Sequence, residues 1–176
     1  HTLHATEKEA REETERMLEV YREFMENVLA IDVLVGTKSE KERFAGAVDT
    51  LSMEAMMLDG KSLQAGTSHY IGNNFASAFE VKYLDKDGQL KNPYQTSWGV
   101  STRLIGAVIM THSDNDGLIL PPRIAPTKVA IIPICKDEEK LTNEILPQAE
   151  KLQKSLNDKL GGFFVKLDKN FHTRPG

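Results

Sequence analysis

QAGTSHYIGNNFA, residues 64–76, and TSWGVSTRLIGAVIMTHSDNDGLILPPR, residues 96–123, decide how this chain is read. The first stretch sets Gln64, Gly66, Thr67, Ser68 and His69 within six positions. The second places small residues directly before Arg103, runs into an apolar helical segment and stops at a Pro-Pro break. Small and polar side chains gathered beside a fixed cation suit a pocket that handles phosphates and amines better than they suit a core.

Working outward, residues 45–57 and 61–69 flank Asp59-Gly60, a turn pair that joins two strands into a hairpin. Residues 93–101 predict a further strand and 102–112 a helix buried on much of its surface. Residues 71–79 predict a short helix, 80–84 a strand, and Lys86-Asp87-Gly88 a turn. Upstream, a helix is expected from Thr6 to about Leu29. Thr6 and Glu9 are spaced as a capping box, and Met17, Tyr21, Phe24 and Val28 form one apolar stripe, with Glu12, Glu15, Glu19 and Glu26 on a solvated face. Ile31, Val33 and Val35 alternate as a short strand, and 36–43 is a polar loop. The fold class is therefore α+β, an antiparallel sheet with helices.

Pro121, Pro122 and Pro126 bracket a connector, because proline disfavours helix and removes a backbone donor. Beyond it VAIIPI, 129–134, reads as a strand buried on both faces. A helix follows to about Leu160 with Pro147 in its first turn, Gly161-Gly162 ends it, and FFVKL, 163–167, is another strand. The β-α-β order predicts a parallel pair and the start of a separate α/β domain. The expected division is 1–125 and 126–176.

The 176 residues are 40% hydrophobic and 27% charged, the composition of an ordinary globular protein. No apolar run reaches the length of a membrane span, and the acidic and basic first 30 residues exclude a secretory signal. The single Cys135 excludes an internal disulfide and fits a reducing, cytoplasmic setting. No metal site is expected: His1 and His4 lack an acidic or cysteine partner at ligand spacing, and His112 with Asp114 and Asp116 reads as a solvated turn. Residues 1–126 carry 13 Lys+Arg against 19 Asp+Glu, and 127–176 carry 9 against 7, so the tail is weakly basic and compatible with RNA contact. The chain begins at His1 rather than Met and ends at FHTRPG, and is expected to be a fragment of something longer.

KSEKERFAGA, SLQAGTSHYIGNNFA and SWGVSTRLIGAVIMTHSDNDGLILPPRIAP resemble the proline pocket and motif 3 of prolyl-tRNA synthetase, a class II aminoacyl-tRNA synthetase. HTLHAT with the acidic helix resembles the segment just after that family's motif 2, and the tail from Thr127 resembles the start of its anticodon-binding domain. The resemblance implies a class II antiparallel sheet and an ATP-dependent activation of proline to prolyl-adenylate, followed by transfer to tRNA(Pro). It also implies Mg2+ accompanying ATP, a homodimer in the full-length enzyme and a cytoplasmic location. Carried over by position, Gln64, Thr67, Ser101 and Arg103 would contact ATP, with Arg103 the catalytic cation. His69, Phe44 and His1 would line the proline site, with Gly99 and Trp98 as a wall.

The residue types suit that chemistry. A guanidinium stays charged and offers a planar fork to departing pyrophosphate, while Gln64 and Thr67 orient through neutral hydrogen bonds. Gly66 and Gly99 allow close backbone approach to a ligand. Taken without the match, Arg103 reads as a helix-start surface residue, His69 as a satisfied strand histidine, and Phe44 and Trp98 as core. The resemblance puts motif 1, the motif 2 arginine and the Thr/Glu contacts to the proline amine before His1, so the chain alone is expected to be inactive. Val48-Asp49 and Asn73 depart from the commoner residues, and the 95 or so residues from His1 to Gly99 leave no room for the editing domain of common bacterial relatives. A non-catalytic, tRNA-binding paralogue is the alternative. Retention of Gln64, Thr67 and Arg103 argues against it.

Overall fold

The computed structural model describes residues 1–170; the terminal FHTRPG lies outside the described residues. The chain divides into two compact units, His1–Arg123 and Ile124–Gly176.

The first unit is a five-stranded antiparallel sheet under one long helix. In chain order it comprises β1 (Thr2–His4), α1 (Glu7–Asn27), β2 (Val33–Thr37), a 3-10 turn (Glu40–Glu42), β3 (Asp49–Met56), β4 (Ser62–Gly72), α2 (Asn74–Ala78), β5 (Tyr83–Leu84), β6 (Leu90–Lys91), β7 (Tyr94–Gly99) and α3 (Arg103–His112). The sheet runs β1-β7-β4-β3-β2, and β5 and β6 form a separate small hairpin. The capping box is present: Thr6 accepts from the Glu9 backbone N–H while the Glu9 carboxylate accepts from that of Thr6. Gly60, at φ +80°, closes the β3–β4 turn, a backbone region open to glycine at little steric cost.

α1 buries a face other than the one its apolar stripe predicts. Ala10, Thr14, Leu18 and Met25 are buried, whereas Phe24 remains 40% exposed and Met17, Tyr21 and Val28 flank the contact. Small side chains explain the rotation. Ala10 and Thr14 let the helix approach β4 closely enough for the Ser68 hydroxyl to donate to the Thr14 carbonyl at 2.7 Å. The Thr14 hydroxyl donates to the Ala10 carbonyl at 2.8 Å, so its burial leaves no orphaned group. Arg11 anchors the start of the helix: it bonds Asp49 at 2.8 Å and stacks 4.1 Å over the Tyr70 ring. Burial pushes the Tyr70 hydroxyl up to about 12.

α3 also departs from expectation. Only its Leu104, Ala107 and Val108 stripe is buried; Ile105, Ile109 and Met110 are exposed, because one sheet covers one side of a helix. At its end the His112 ring bonds the Leu29 carbonyl at 2.7 Å, and the Asp114 carboxylate accepts the Asp116 and Gly117 amides. That segment is a braced turn.

The second unit holds β8 (Val129–Ile131), α4 (Glu138–Lys140), a π-helical turn (Leu141–Ile145), α5 (Leu146–Leu160) and β9 (Val165–Leu167). β8 and β9 pair in parallel, as the β-α-β order requires. Pro147 sits in the first turn of α5, and Gly161 at φ +69° ends it. The strand expected over 129–134 stops at Ile131, and Ile132 and Ile134 are exposed: a two-stranded sheet cannot bury a strand on both faces. Among the described residues no helix is long and apolar enough to cross a membrane.

Met53 lies fully buried between the sheet and α1. Met53→Ala is expected to destabilise the first unit by about 2–5 kcal/mol, the range for truncating a buried side chain. Urea unfolding measures it; a loss below about 1 kcal/mol would show that α1 does not pack there as described.

Candidate active site

Pairing across the sheet puts most of the expected site residues on the face opposite α1. On β4, Ser68 and Tyr70 point to the helix, so Thr67 and His69 point away. Thr67 stands opposite Ser52 on β3 and Gly99 on β7; His69 stands opposite Thr50 and Ser97. Gln64 is three residues before Thr67, a spacing that in a regular strand places the two on opposite faces. A β-bulge resolves this. Met53 pairs with Gly66 and Glu54 with Gln64, leaving Ala65 as the extra residue. The bulge therefore brings Gln64 to the face of Thr67 and His69.

Two groups of residues form on this face. At one end Arg103, the first residue of α3, donates through its guanidinium to the Gln64 carbonyl at 3.1 Å. Its backbone N–H is received by the Ser101 hydroxyl at 3.3 Å. Arg103 thus contacts both Gln64 and Ser101, and no atom would meet a side chain added at the neighbouring Gly99 within 4 Å, so that strand end is open. The guanidinium is exposed, with its charge free to meet an anion.

At the other end the Phe44 ring lies against the His69 ring, centroids 5.2 Å apart. The fully buried Thr50 hydroxyl holds both, bonding His69 Nδ1 at 2.9 Å and accepting the Phe44 N–H at 3.4 Å. Burial first, and then the positive charge of Lys38, hold the imidazole below the usual histidine range, so the ring favours its neutral form. Phe44 also lines a cavity of about 150 Å³ with His1, Phe75, Gln95 and Ser97. The buried Gln95 Oε1 has no hydrogen-bond partner there. The loop carrying Phe44 is pinned through Gly46: a Cβ at that position, where φ is +92°, would fall 2.3 Å from the Phe75 ring.

Two expectations are corrected. Trp98 pairs with Ser68, on the helix-covered face, and its ring packs 6.3 Å from Tyr21 of α1. Strand alternation, with Gly99 facing out, requires this, so the indole is a core group and no wall of the outer face. Gly66 likewise faces inward: a Cβ there would come within 2.6 Å of the Met53 side chain and 3.0 Å of Val100, so its lack of a side chain serves packing. Sequence reading also passed over Lys38, whose ammonium bonds the Gln64 side-chain oxygen, and Thr50. Lys38 sits in what reads as a polar loop beside Lys41 and Arg43, and nothing local singles it out from them. Thr50 would have been found by placing it opposite His69 across the hairpin. Among the described residues no three His, Cys, Asp or Glu side chains are grouped to hold a metal ion.

Comparison with known proteins bears on this arrangement. Residues 1–112 match the tRNA synthetase class II core domain (G, H, P, S and T). Over all 176 residues the chain is 56% identical to proline–tRNA ligase of Borreliella burgdorferi (strain ZS7) and 57% identical to that of Symbiobacterium thermophilum. It spans about a third of their length, 36% and 35% respectively. The crystal structure of prolyl-tRNA synthetase from Cryptosporidium parvum complexed with L-proline and AMP superposes on 99% of this chain and 37% of that one, with a TM-score of 0.87 and 40% identity. An antiparallel sheet that carries a helix-start arginine and a strand of small polar residues on its open face is thus accounted for by descent: the chain belongs to the tRNA synthetase class II core domain family.

Proposed function

We propose that this chain is part of a proline–tRNA ligase, an enzyme that activates proline with ATP and transfers it to tRNA(Pro). The observation that carries the reading is identity of 54–57%, along the whole chain, to relatives named proline–tRNA ligase. The site's chemistry supports it. Adenylation joins two anions, the proline carboxylate and the ATP α-phosphate, and its demands are positioning and charge stabilisation. In this reading the exposed Arg103 fork meets the nucleotide and stabilises charge on departing pyrophosphate. Gln64, Thr67 and Ser101 orient the nucleotide through neutral hydrogen bonds. The open strand end at Gly99 gives it room. Mg2+ is proposed as the ion that ATP carries on its phosphates.

Phe44, His69 and His1 are proposed to receive proline, a small ring with a secondary amine. The Phe44 face packs on the ring, and the neutral imidazole avoids repelling the ammonium. Thr50 fixes the imidazole by occupying Nδ1, which leaves Nε2 for the ligand. Ile124–Gly176 is proposed as the start of the anticodon-binding domain. A homodimeric, cytoplasmic enzyme is proposed on the same grounds.

The direct test is pyrophosphate exchange by a full-length ligase carrying this sequence. Proline-dependent exchange is expected, with little for alanine or threonine. Exchange with another amino acid and none with proline would overturn the assignment.

Arg103→Ala is expected to lower exchange roughly 100-fold, the scale for losing one charge-stabilising group, while proline binding persists. An unchanged rate in a folded variant would remove Arg103 from the chemistry.

His69→Ala is expected to raise the KM for proline about tenfold and to leave that for ATP nearly unchanged. The pH dependence follows from the depressed pKa. An ordinary histidine gains its proton near pH ~6.5, whereas His69 stays neutral to lower pH. Proline kcat/KM is therefore expected to stay level as pH falls through that value and to drop below it. A decline already complete at pH ~6.5 would contradict the neutral-ring role.

A further inference from the structure

We propose that Lys38 is a positioning residue of the nucleotide end of this site: it fixes the side chain of Gln64 so that the amide NH2 is turned outward as a donor. The inference rests on the reading of Gln64 as a nucleotide contact.

Three observations support it. The first is chemical. A glutamine amide has an accepting end and a donating end, and a free side chain can present either. An ammonium only donates, so the atom of Gln64 that meets Lys38 Nζ is the carbonyl Oε1. Nε2, with two N–H groups, is left for a ligand. What is offered is then a donor, suited to the oxygen acceptors of a nucleotide's ribose or phosphates.

The second is geometric. Gln64 is held from both ends, its backbone carbonyl by Arg103 at 3.1 Å and its side chain by Lys38. Lys38 is itself anchored, since its backbone N–H donates to the Thr50 carbonyl at 2.9 Å and so continues the β2–β3 pairing one residue past Thr37. The lysine is half-buried and its stem starts from a fixed point, which lowers the entropy cost of holding the ammonium in place.

The third is a choice of partner. Glu42 and Glu54 line the same cavity of about 260 Å³ as Lys38, yet the bond goes to a neutral amide, and the Glu54 carboxylate takes its hydrogen bond from the Ser62 hydroxyl at 2.7 Å. A lysine kept only for solubility would pair as readily with either carboxylate. This one orients a group that is neutral, reversible in direction and next to Arg103.

The test uses the full-length ligase with Lys38→Met, Lys38→Gln and Lys38→Arg. ATP and proline dissociation constants are measured by calorimetry and their KM values by pyrophosphate exchange. Lys38→Met and Lys38→Gln are expected to weaken ATP about tenfold, the scale of a lost hydrogen bond to a charged group, and to change proline less than about twofold. Lys38→Arg, which keeps a donor-only cation, is expected to restore ATP to within about threefold of the original. Unaltered ATP binding in both Met and Gln variants overturns the proposal. So does an equal loss for ATP and proline, or failure of arginine to rescue, since a merely structural lysine would behave in those ways. Misfolding, read by circular dichroism, is covered by the Met variant, whose unbranched side chain matches the length of the lysine stem. If the wild-type enzyme activates an amino acid other than proline, the functional reading falls, and the ATP arm still decides the role of Lys38.

Discussion

The two-faced character of β4 is the constraint on which the rest of the first unit depends. One strand serves as the floor of the core and the floor of the site. Ser68 and Tyr70 bind it to α1, through a hydroxyl donated to the Thr14 carbonyl and a ring covered by Arg11. Thr67 and His69 face the other way. A shift of one residue in register would exchange the two sets and send polar groups into the core. The bulge at Ala65 extends the outer set to Gln64, which strict alternation would have placed beneath the helix. The Gln64 contacts with Arg103 and Lys38 exist because of that one unpaired residue.

Charge is distributed against the overall balance. Residues 1–126 carry six more acidic than basic side chains, yet the groups meeting at Gln64 are both cations, Arg103 and Lys38. Much of the acidity is on α1, where Glu7, Glu13, Glu19 and Glu26 pair with arginines of the same helix. Such pairs contribute little to stability individually. They also lie on the far side of the sheet from the open face. An anion approaching Gln64 meets these two cations although the unit as a whole is negative, with Glu42 and Glu54 lining the cavity on the Lys38 side.

Much of this was legible in the sequence. The capping box at Thr6, the turn at Asp59-Gly60, the helix beginning at Arg103 and the parallel pair in the tail all rest on local chemistry, and local chemistry is written in consecutive residues. The buried face of α1 was not legible, because Ala10 and Thr14 are chosen for closeness rather than hydrophobicity. The facing of Trp98 depends on register across three strands. Its aromatic character gave no direction, whereas its pairing with Ser68 does. Lys38 and Thr50 were missed for a related reason. Each acts on a partner 19 to 26 positions away, at distances that strand pairing creates: β3 with β4 for Thr50, and β2 with β3 as well for Lys38.

The contact between Gly66 and Met53 extends beyond packing. The methionine tip occupies the space a side chain at position 66 would need. These neighbours on adjacent strands hold one volume between them. Enlarging residue 66 alone crowds the core and shortening residue 53 alone hollows it, while the two changes made together conserve what the core contains. Divergence at the two positions is therefore coupled: drift under the helix proceeds by exchange of volume across the strand pair, and the outer face can keep its chemistry while the inner one is rebuilt.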